Sequence, residues 1–189
     1  MFGPKRAQRG ATQRQGNTLI SFQKPHMKKI NIADLPWVEG KSPKGKFHRY
    51  RKELSAQLGS GRSPSPDPER HPFDLELVRI PSGAVNWPYH SHSAEHELYL
   101  IVSGLGRVRT PDGLVDVGAG DVIHHPPGES HQMNNPGPAD LVYYVIANNV
   151  IAGGAVCDEC YYPDSDKWAT TSIDRCFRPT KVDYYDGEE

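Results

Sequence analysis

The chain has 189 residues, a formal net charge of −1 and 36% hydrophobic residues, which suits one domain with tails and an adequate buried core. The apolar run at residues 141–147 is far too short to span a bilayer, and no charged start leads into an apolar stretch with a cleavage site. We therefore expect a cytoplasmic protein with no membrane partner.

The first 33 residues hold seven Lys or Arg and no acidic residue, whereas the remainder has a formal balance of −8. Such a basic tail could contact nucleic acid, but it lacks aromatic interleaving and any nucleic-acid motif. We expect residues 1–26 to be a disordered, dispensable extension and no nucleic-acid partner. The segment from Met27 resembles an ordinary N-terminus followed by a first strand over residues 30–32.

Residues 27–72 are expected to form a segment and loop that pack on the following domain. Four apolar residues recur at helical spacing: Phe47, Tyr50, Leu54 and Leu58. Gly59 is suited to end such a helix, but the same stretch is equally compatible with a strand and a loop. Residues 59–72 are polar and proline-rich, which predicts a loop.

From residue 73 the pattern is that of short strands with many turns, to which the 17 prolines and 18 glycines also point. Residues 73–80 alternate as a half-buried strand should. Further strands are predicted at 85–92, 96–102, 106–110, 114–117, 121–125, 131–135 and 141–148. No internal repeat appears, so we predict one all-β barrel over residues 73–150 and a C-terminal extension over 151–189.

Four potential metal ligands lie within this stretch. Because side chains alternate along a strand, His90 and His92 share one face. Glu97 follows a polar stretch long enough to reverse the chain, and it begins a strand that could lie beside the first. His131 follows the turn signal Pro126-Pro127-Gly128. Side chains from three strands could therefore converge on one metal ion.

These residues carry a family resemblance. Residues 120–135 match one cupin motif, at Gly120, Pro126, Gly128, His131 and Asn135. Residues 90–104 match the other cupin motif, at His90, His92, Glu97 and Gly104. One departure is Gly83, which is separated from His90 by six intervening residues where the motif has five. The resemblance implies a double-sheet jelly-roll barrel with metal ligands His90, His92, Glu97 and His131.

A set of three imidazoles and one carboxylate suits one divalent ion of manganese, iron, nickel or zinc, with two positions open if the metal is six-coordinate. Such an ion supports a metal-dependent enzyme of dioxygenase, decarboxylase or isomerase type that acts on a small oxygenated or carboxylate-bearing molecule. The alternative is a non-catalytic protein that binds a sugar or small acid with the help of the metal. The fold alone does not decide between them.

Other polar residues near the motifs have weaker assignments. His124 and His125 are adjacent in a strand, so only one of them can face the interior. Glu95 and Glu129 are interpreted as solvated loop residues, and Asn135 is expected to brace a turn. Two arginines share one face, Arg107 and Arg109; outward, solvated positions are the commoner case for such residues.

Three cysteines lie in the C-terminal extension: Cys157, Cys160 and Cys176. A lone C-x-x-C without a fourth ligand or a βαβ context predicts reduced thiols. Because open barrels expose sheet edges, we also expect a homodimer, with residues 30–32 as a candidate for an exchanged strand.

Overall fold

The computed structural model describes residues 27–60, 70–152, 155–170 and 175–187. The predicted disordered extension over residues 1–26 and most of the predicted loop over 59–72 lie outside the described residues. Helical structure in the described part comprises one α-helical turn, α1 (Leu54–Gln57), and two 3₁₀ helices, Ile32–Asp34 and Pro163–Ser165. None of these helices is long and apolar enough to cross a bilayer.

The remaining regular structure consists of antiparallel strands. In chain order they are β1 (Val38–Lys41), β2 (His48–Glu53), β3 (Phe73–Ile80), β4 (Ser91–His92), β5 (Glu97–Ser103), β6 (Leu105–Thr110), β7 (Gly113–Gly118), β8 (Val122–His125), β9 (Gln132–Asn134), β10 (Leu141–Asn148), β11 (Ile151–Ala152), β12 (Ala155–Val156), β13 (Glu159–Tyr162), β14 (Lys167–Thr170) and β15 (Arg175–Phe177). The predicted all-β class is therefore confirmed.

The strands form two opposed layers. A six-stranded sheet has the order β1-β2-β3-β10-β5-β8, and it faces a three-stranded sheet of order β7-β6-β9. A four-stranded sheet joins β15, β14 and β13 to β4, and β11 pairs with β12. Strand β4, which carries His92, is thus hydrogen-bonded to the C-terminal part of the chain.

The hydrophobic core fills the space between the two layers. Burial alternates along β5 and β10, so that every second side chain of these central strands points inward. The core residues from both layers are Val78, Ile80, Tyr99, Ile101, Val108, Val117, Met133, Leu141, Tyr143 and Val145. Since each such side chain contributes about 1.5–3 kcal/mol when fully buried, this interior is the main source of stability.

Most of the predicted strands agree with the structure within about two residues, a usual margin for strand ends. The segment predicted at 85–92 is regular only at Ser91–His92, with isolated bridges at Val85 and His90. The first strand expected near residues 30–32 is wrong, because Asn31 caps a 3₁₀ helix there through its side chain. The segment around residues 47–58, left open between helix and strand, is strand β2 followed by α1.

Two motif glycines occupy turns that only glycine enters without strain. Gly104 has φ +88° and packs so closely on the Asp140 carbonyl that a Cβ would clash with it. Gly128 has φ +84°, and its N–H donates to the His92 carbonyl over 2.8 Å. This second contact fastens the turn before His131 directly to the strand that carries His92. Gly83, at φ +75°, also lies in a turn, as expected.

Asn135 braces the barrel from inside, which confirms its predicted role. The side chain is 1% exposed, and its Nδ2 donates to the carbonyls of Ile80 and Ala139 at 2.8 Å each. Its Oδ1 accepts from the Gly137 N–H at 2.9 Å. One amide therefore satisfies three backbone groups where the chain turns from β9 towards β10.

Replacing Asn135 by Ala is expected to lower the free energy of unfolding by about 2–3 kcal/mol, because it leaves buried backbone groups without partners. Urea unfolding followed by far-UV circular dichroism measures this loss. Asn134→Ala is the matched control, since Asn134 is half-buried and its Nδ2 makes a longer bond of 3.2 Å to the Arg107 carbonyl. An equal loss in both variants would contradict the assignment.

Candidate metal centre

The candidate site lies at one end of the barrel interior. Glu97 is the first residue of β5 and points inward, level with Ala147 of β10 and His125 of β8. Facing it, His90 and His131 form an antiparallel bridge in which each backbone N–H donates to the other's carbonyl, at 3.2 and 2.8 Å. His92 lies two residues farther along the same segment, which places both histidines on the inner face.

The four residues singled out in the sequence come together. The Nε2 atom of His131 lies 2.7 Å from Glu97 Oε2, and that of His92 lies 3.8 Å from the same oxygen. His90, Glu97 and His131 each offer a ligand atom within 4.8 Å of the other two. The ring centroid of His90 lies 5.1 Å from that of His92 and 4.8 Å from that of His131. All four side chains are buried.

Each of the three imidazoles is tied down through its Nδ1 atom. His90 Nδ1 lies 2.9 Å from the Pro88 carbonyl, and His131 Nδ1 lies 3.2 Å from the Glu129 carbonyl. His92 Nδ1 lies 2.6 Å from a carboxylate oxygen of Asp158. Because these oxygens only accept hydrogen bonds, each Nδ1 carries a hydrogen. Nε2 is therefore the atom that could bind a metal, after release of any hydrogen that it donates, as His131 Nε2 does to Glu97.

The electrostatics of His90 and Glu97 fit this arrangement. Burial lowers the pKa of His90 to about 3, so its imidazole is neutral near pH 7. Burial by itself would raise the pKa of Glu97, but the hydrogen bond from His131 and the neighbouring imidazoles hold it well below the usual carboxyl value. The site thus has one fixed negative charge next to a neutral nitrogen donor.

The pKa of His92 is shifted in the opposite direction from that of His90. Burial would lower its pKa, but hydrogen bonds to Asp158 and Cys160 and the charge of Glu97 raise it to about 11. Because the two histidines are buried to similar degrees, the difference comes from the carboxylate beside His92. The pKa of Asp158 is in turn lowered: burial by itself would raise it, but the hydrogen bond to His92, the charge of His92 and the backbone N–H groups of Ala94 and Glu95 together outweigh burial.

Tyr99 closes the inner side of the site. Its hydroxyl lies 3.1 Å from Glu97 Oε2 and 3.2 Å from His131 Nε2. Burial and the charge of Glu97 raise the Tyr99 pKa well above its usual value, so the hydroxyl remains a neutral hydrogen-bond donor. The sequence analysis did not single out this tyrosine, although its position two residues after Glu97 on a strand places it on the same face.

The structure decides which of the adjacent histidines faces inward. His125 is 2% exposed and stacks on His131, with ring centroids 3.9 Å apart. Its Nδ1 lies 3.0 Å from Glu129 Oε1, and burial lowers its pKa. His124 faces outward and pairs with His96 over 3.0 Å, so neither belongs to the site.

Other sequence interpretations are also settled. Glu95 is not a solvated loop residue: it is 6% exposed, and its Oε2 lies 3.7 Å from His92 Nδ1. Its backbone N–H donates to Asp158 Oδ1, so the turn before β5 packs against the C-terminal segment. An alternation pattern along the chain does not reveal this contact. The arginines of β6 point outward, where Arg107 pairs with Asp116 and Arg109 with Asp164.

The C-terminal segment supplies site residues that sequence reasoning missed. Asp158 and Cys160 approach His92, and the Tyr162 ring stacks on His90 with centroids 5.9 Å apart. No spacing pattern in the sequence links these residues to His90 and His92, which lie more than 60 positions earlier. The three cysteines all lie within the described residues, and none of them forms a disulfide there.

A cavity of about 160 Å³ adjoins the four residues. Three of them, His90, His92 and Glu97, line one end, while Arg51 and Glu76 line another part of its wall. Arg51 Nη1 lies 3.3 Å from Glu76 Oε1. Apolar and aromatic walls with a few polar groups are usual for small-molecule sites.

Residues 76–147 match the sequence model of the cupin domain. An oxalate-binding protein of Thermotoga maritima is 33% identical over 69 residues, which are 36% of this chain and 56% of that protein. The match thus spans little more than half the length of that relative.

Solved structures resemble the fold. A sugar phosphate isomerase of a cupin superfamily from Silicibacter pomeroyi aligns with a TM-score of 0.63 and 18% identity, over 82% of this chain and 98% of that one. A predicted oxalate decarboxylase from Thermotoga maritima aligns with a TM-score of 0.52 and 22% identity, over 64% and 98%.

Proposed function

We propose a metal site, starting from the premise that residues 76–147 form a cupin domain. One divalent ion is bound there by four residues: His90, His92, Glu97 and His131. We propose further that the protein is a metal-dependent enzyme acting on a small oxygenated or carboxylate-bearing molecule. The observation that carries the proposal is the convergence of three imidazoles, each fixed through Nδ1, on one buried carboxylate.

The residues present fit such an ion. The 2.7 Å between His131 Nε2 and Glu97 Oε2 is close to the separation of about 3 Å that two neighbouring ligands have at an ion about 2.1 Å from each. Imidazole and carboxylate donors suit manganese, iron, nickel or zinc, and the donor set does not select among them. When bound, the ion would supply Lewis-acid polarisation of a substrate oxygen or redox chemistry.

The chain's own groups favour a small substrate. A cavity of about 160 Å³ has room for about five water volumes, so it suits a molecule of a few heavy atoms. The Arg51 guanidinium offers a cation to a carboxylate or phosphate oxygen, although Glu53 and Glu76 already pair with it. The Tyr99 hydroxyl, beside two of the proposed ligands, can hold a proton at the reacting end.

A non-catalytic binding protein is the second candidate. The observation in its favour is the similarity to a protein named for oxalate binding. Dioxygenase, decarboxylase and isomerase chemistry remain within the first proposal. The proteins of similar fold include a predicted oxalate decarboxylase and a sugar phosphate isomerase. Both candidates require metal-dependent capture of a small molecule in the cavity.

Calorimetry of metal-loaded protein with oxalate and with a sugar phosphate, using acetate as the control, tests this common requirement. An enzyme is expected to convert a captured compound, which chromatography of the mixture detects, whereas a binding protein returns it unchanged in stoichiometric amount. The control for each titration is protein stripped with a chelator. Equal capture with and without metal would contradict both candidates.

Replacing the proposed ligands is expected to weaken metal binding while the barrel stays folded. Glu97→Gln removes the one negative charge, and His131→Ala removes one nitrogen donor, so each should reduce metal affinity at least about tenfold. Metal content after dialysis, measured by elemental analysis, reports the loss. His96→Ala is the matched control, because His96 faces outward and pairs with His124. Full metal in both ligand variants would show that the ligand set is wrong.

We also propose that the protein is a homodimer. The outer face of β5 carries Leu98, Leu100 and Val102, each more than one third exposed, which is a surface that a second copy could cover. Light scattering at micromolar concentration should give twice the chain mass of 21.1 kDa. A mass of one chain under these conditions would refute this proposal.

A further inference from the structure

Asp158 is the most deeply placed acidic residue of the described C-terminal segment. Its side chain is 2% exposed, and its Oδ2 atom lies 2.6 Å from Nδ1 of His92, 66 residues earlier in the chain. This distance is that of a short, charge-assisted hydrogen bond. The family-model match ends at residue 147, so Asp158 lies outside it.

The carboxylate is itself held firmly. Its other oxygen, Oδ1, accepts from the N–H groups of Ala94 and Glu95 at 2.9 and 3.2 Å, and from the Ser93 hydroxyl at 3.2 Å. Strand β13 pairs with β4, and the Ser93 N–H donates to the Glu159 carbonyl over 2.8 Å. Asp158 therefore cannot move relative to His92 without breaking several hydrogen bonds.

His92 needs such a partner more than the other two histidines. His90 and His131 each bond through Nδ1 to the carbonyl two residues before them, those of Pro88 and Glu129. The equivalent acceptor for His92 is the His90 carbonyl, which already accepts the His131 N–H over 2.8 Å. The local contact that orients the other rings is thus occupied by the bridge between His90 and His131.

We propose that Asp158 is a positioning residue that holds His92 with its Nδ1–H turned away from the cavity and its Nε2 turned towards Glu97. This inference rests on the proposed metal site. It makes the segment that leads into β13 part of the metal centre. Carboxylates that orient metal-binding histidines in this way commonly change metal affinity 10–100-fold when replaced.

A second ion held by His92, Asp158 and Cys160 is the competing interpretation, since their ligand atoms also lie within 4.8 Å of one another. Two points favour the hydrogen bond. If Nδ1 bound this second ion while Nε2 bound the first, the His92 ring would have to give up both of its N–H protons, whereas the hydrogen bond to Oδ2 keeps Nδ1 protonated. Oδ1 already accepts three hydrogen bonds.

Asp158→Asn is the direct test, because it keeps the shape and removes the charge. An asparagine must present its NH₂ group either to His92 Nδ1–H or to the backbone donors of residues 94 and 95, so one side loses its acceptor. We expect manganese affinity, measured by competition with a chelator, to fall about 10–100-fold. We also expect the visible spectrum of the cobalt-loaded protein to change, which a purely structural role would not produce.

Asp164→Asn is the matched control, since Asp164 lies in the same segment and pairs with the outward-facing Arg109. It should leave affinity and spectrum as in the wild type. If Asp158→Asn does not fold, as judged by circular dichroism, Ser93→Ala removes one donor to Asp158 and should give a smaller loss in the same direction.

The outcomes separate the two proposals. If Glu97→Gln loses metal while Asp158→Asn and Ser93→Ala retain wild-type affinity and spectrum, the positioning role is refuted and the metal site stands. If the wild type binds two metal ions per chain and Asp158→Asn binds one, Asp158 is a metal ligand and not a positioning residue. If the wild type binds no metal, or if Glu97→Gln binds metal as tightly as the wild type, both proposals fall together.

Discussion

A carboxylate buried inside the barrel is the constraint around which this structure is arranged. Glu97 lies on the inner face of β5, level with the apolar Ala147, where an isolated charge would be costly. It is compensated by His131 at 2.7 Å, the Tyr99 hydroxyl at 3.1 Å and His92 at 3.8 Å. A cation bound among these groups would balance the same charge. The concentration of imidazoles at this end of the barrel follows from that requirement.

Backbone hydrogen bonds hold the segments that carry these groups in place. The reciprocal bridge between His90 and His131 joins the two segments that carry the imidazoles, and the Gly128 N–H fastens the preceding turn to His92. The same bridge occupies the carbonyl that would have oriented His92 locally. The carboxylate of Asp158, directly before β13, takes over that role, so the packing of the barrel wall and the geometry of the site depend on one set of hydrogen bonds.

The cavity links this arrangement to chemistry. Its end near Glu97 has nitrogen and oxygen donors, and Arg51 and Glu76 offer a cation and an anion elsewhere on its wall. Such a mixture suits a small molecule with several oxygens, whether it is converted or only held. Tyr162 and Trp87 add aromatic surface to the same wall.

The sequence by itself determined the all-β class, most strand positions and the gathering of His90, His92, Glu97 and His131, because alternation along strands and turn-forming residues are local properties. It also indicated Asn135 as a brace. Only the tertiary structure decided that His125 and not His124 faces inward, that Glu95 is buried, and that Asp158 reaches His92. These features depend on which strands become neighbours. A pairing between residues 66 positions apart leaves no periodic pattern in the chain, so packing alone reveals it.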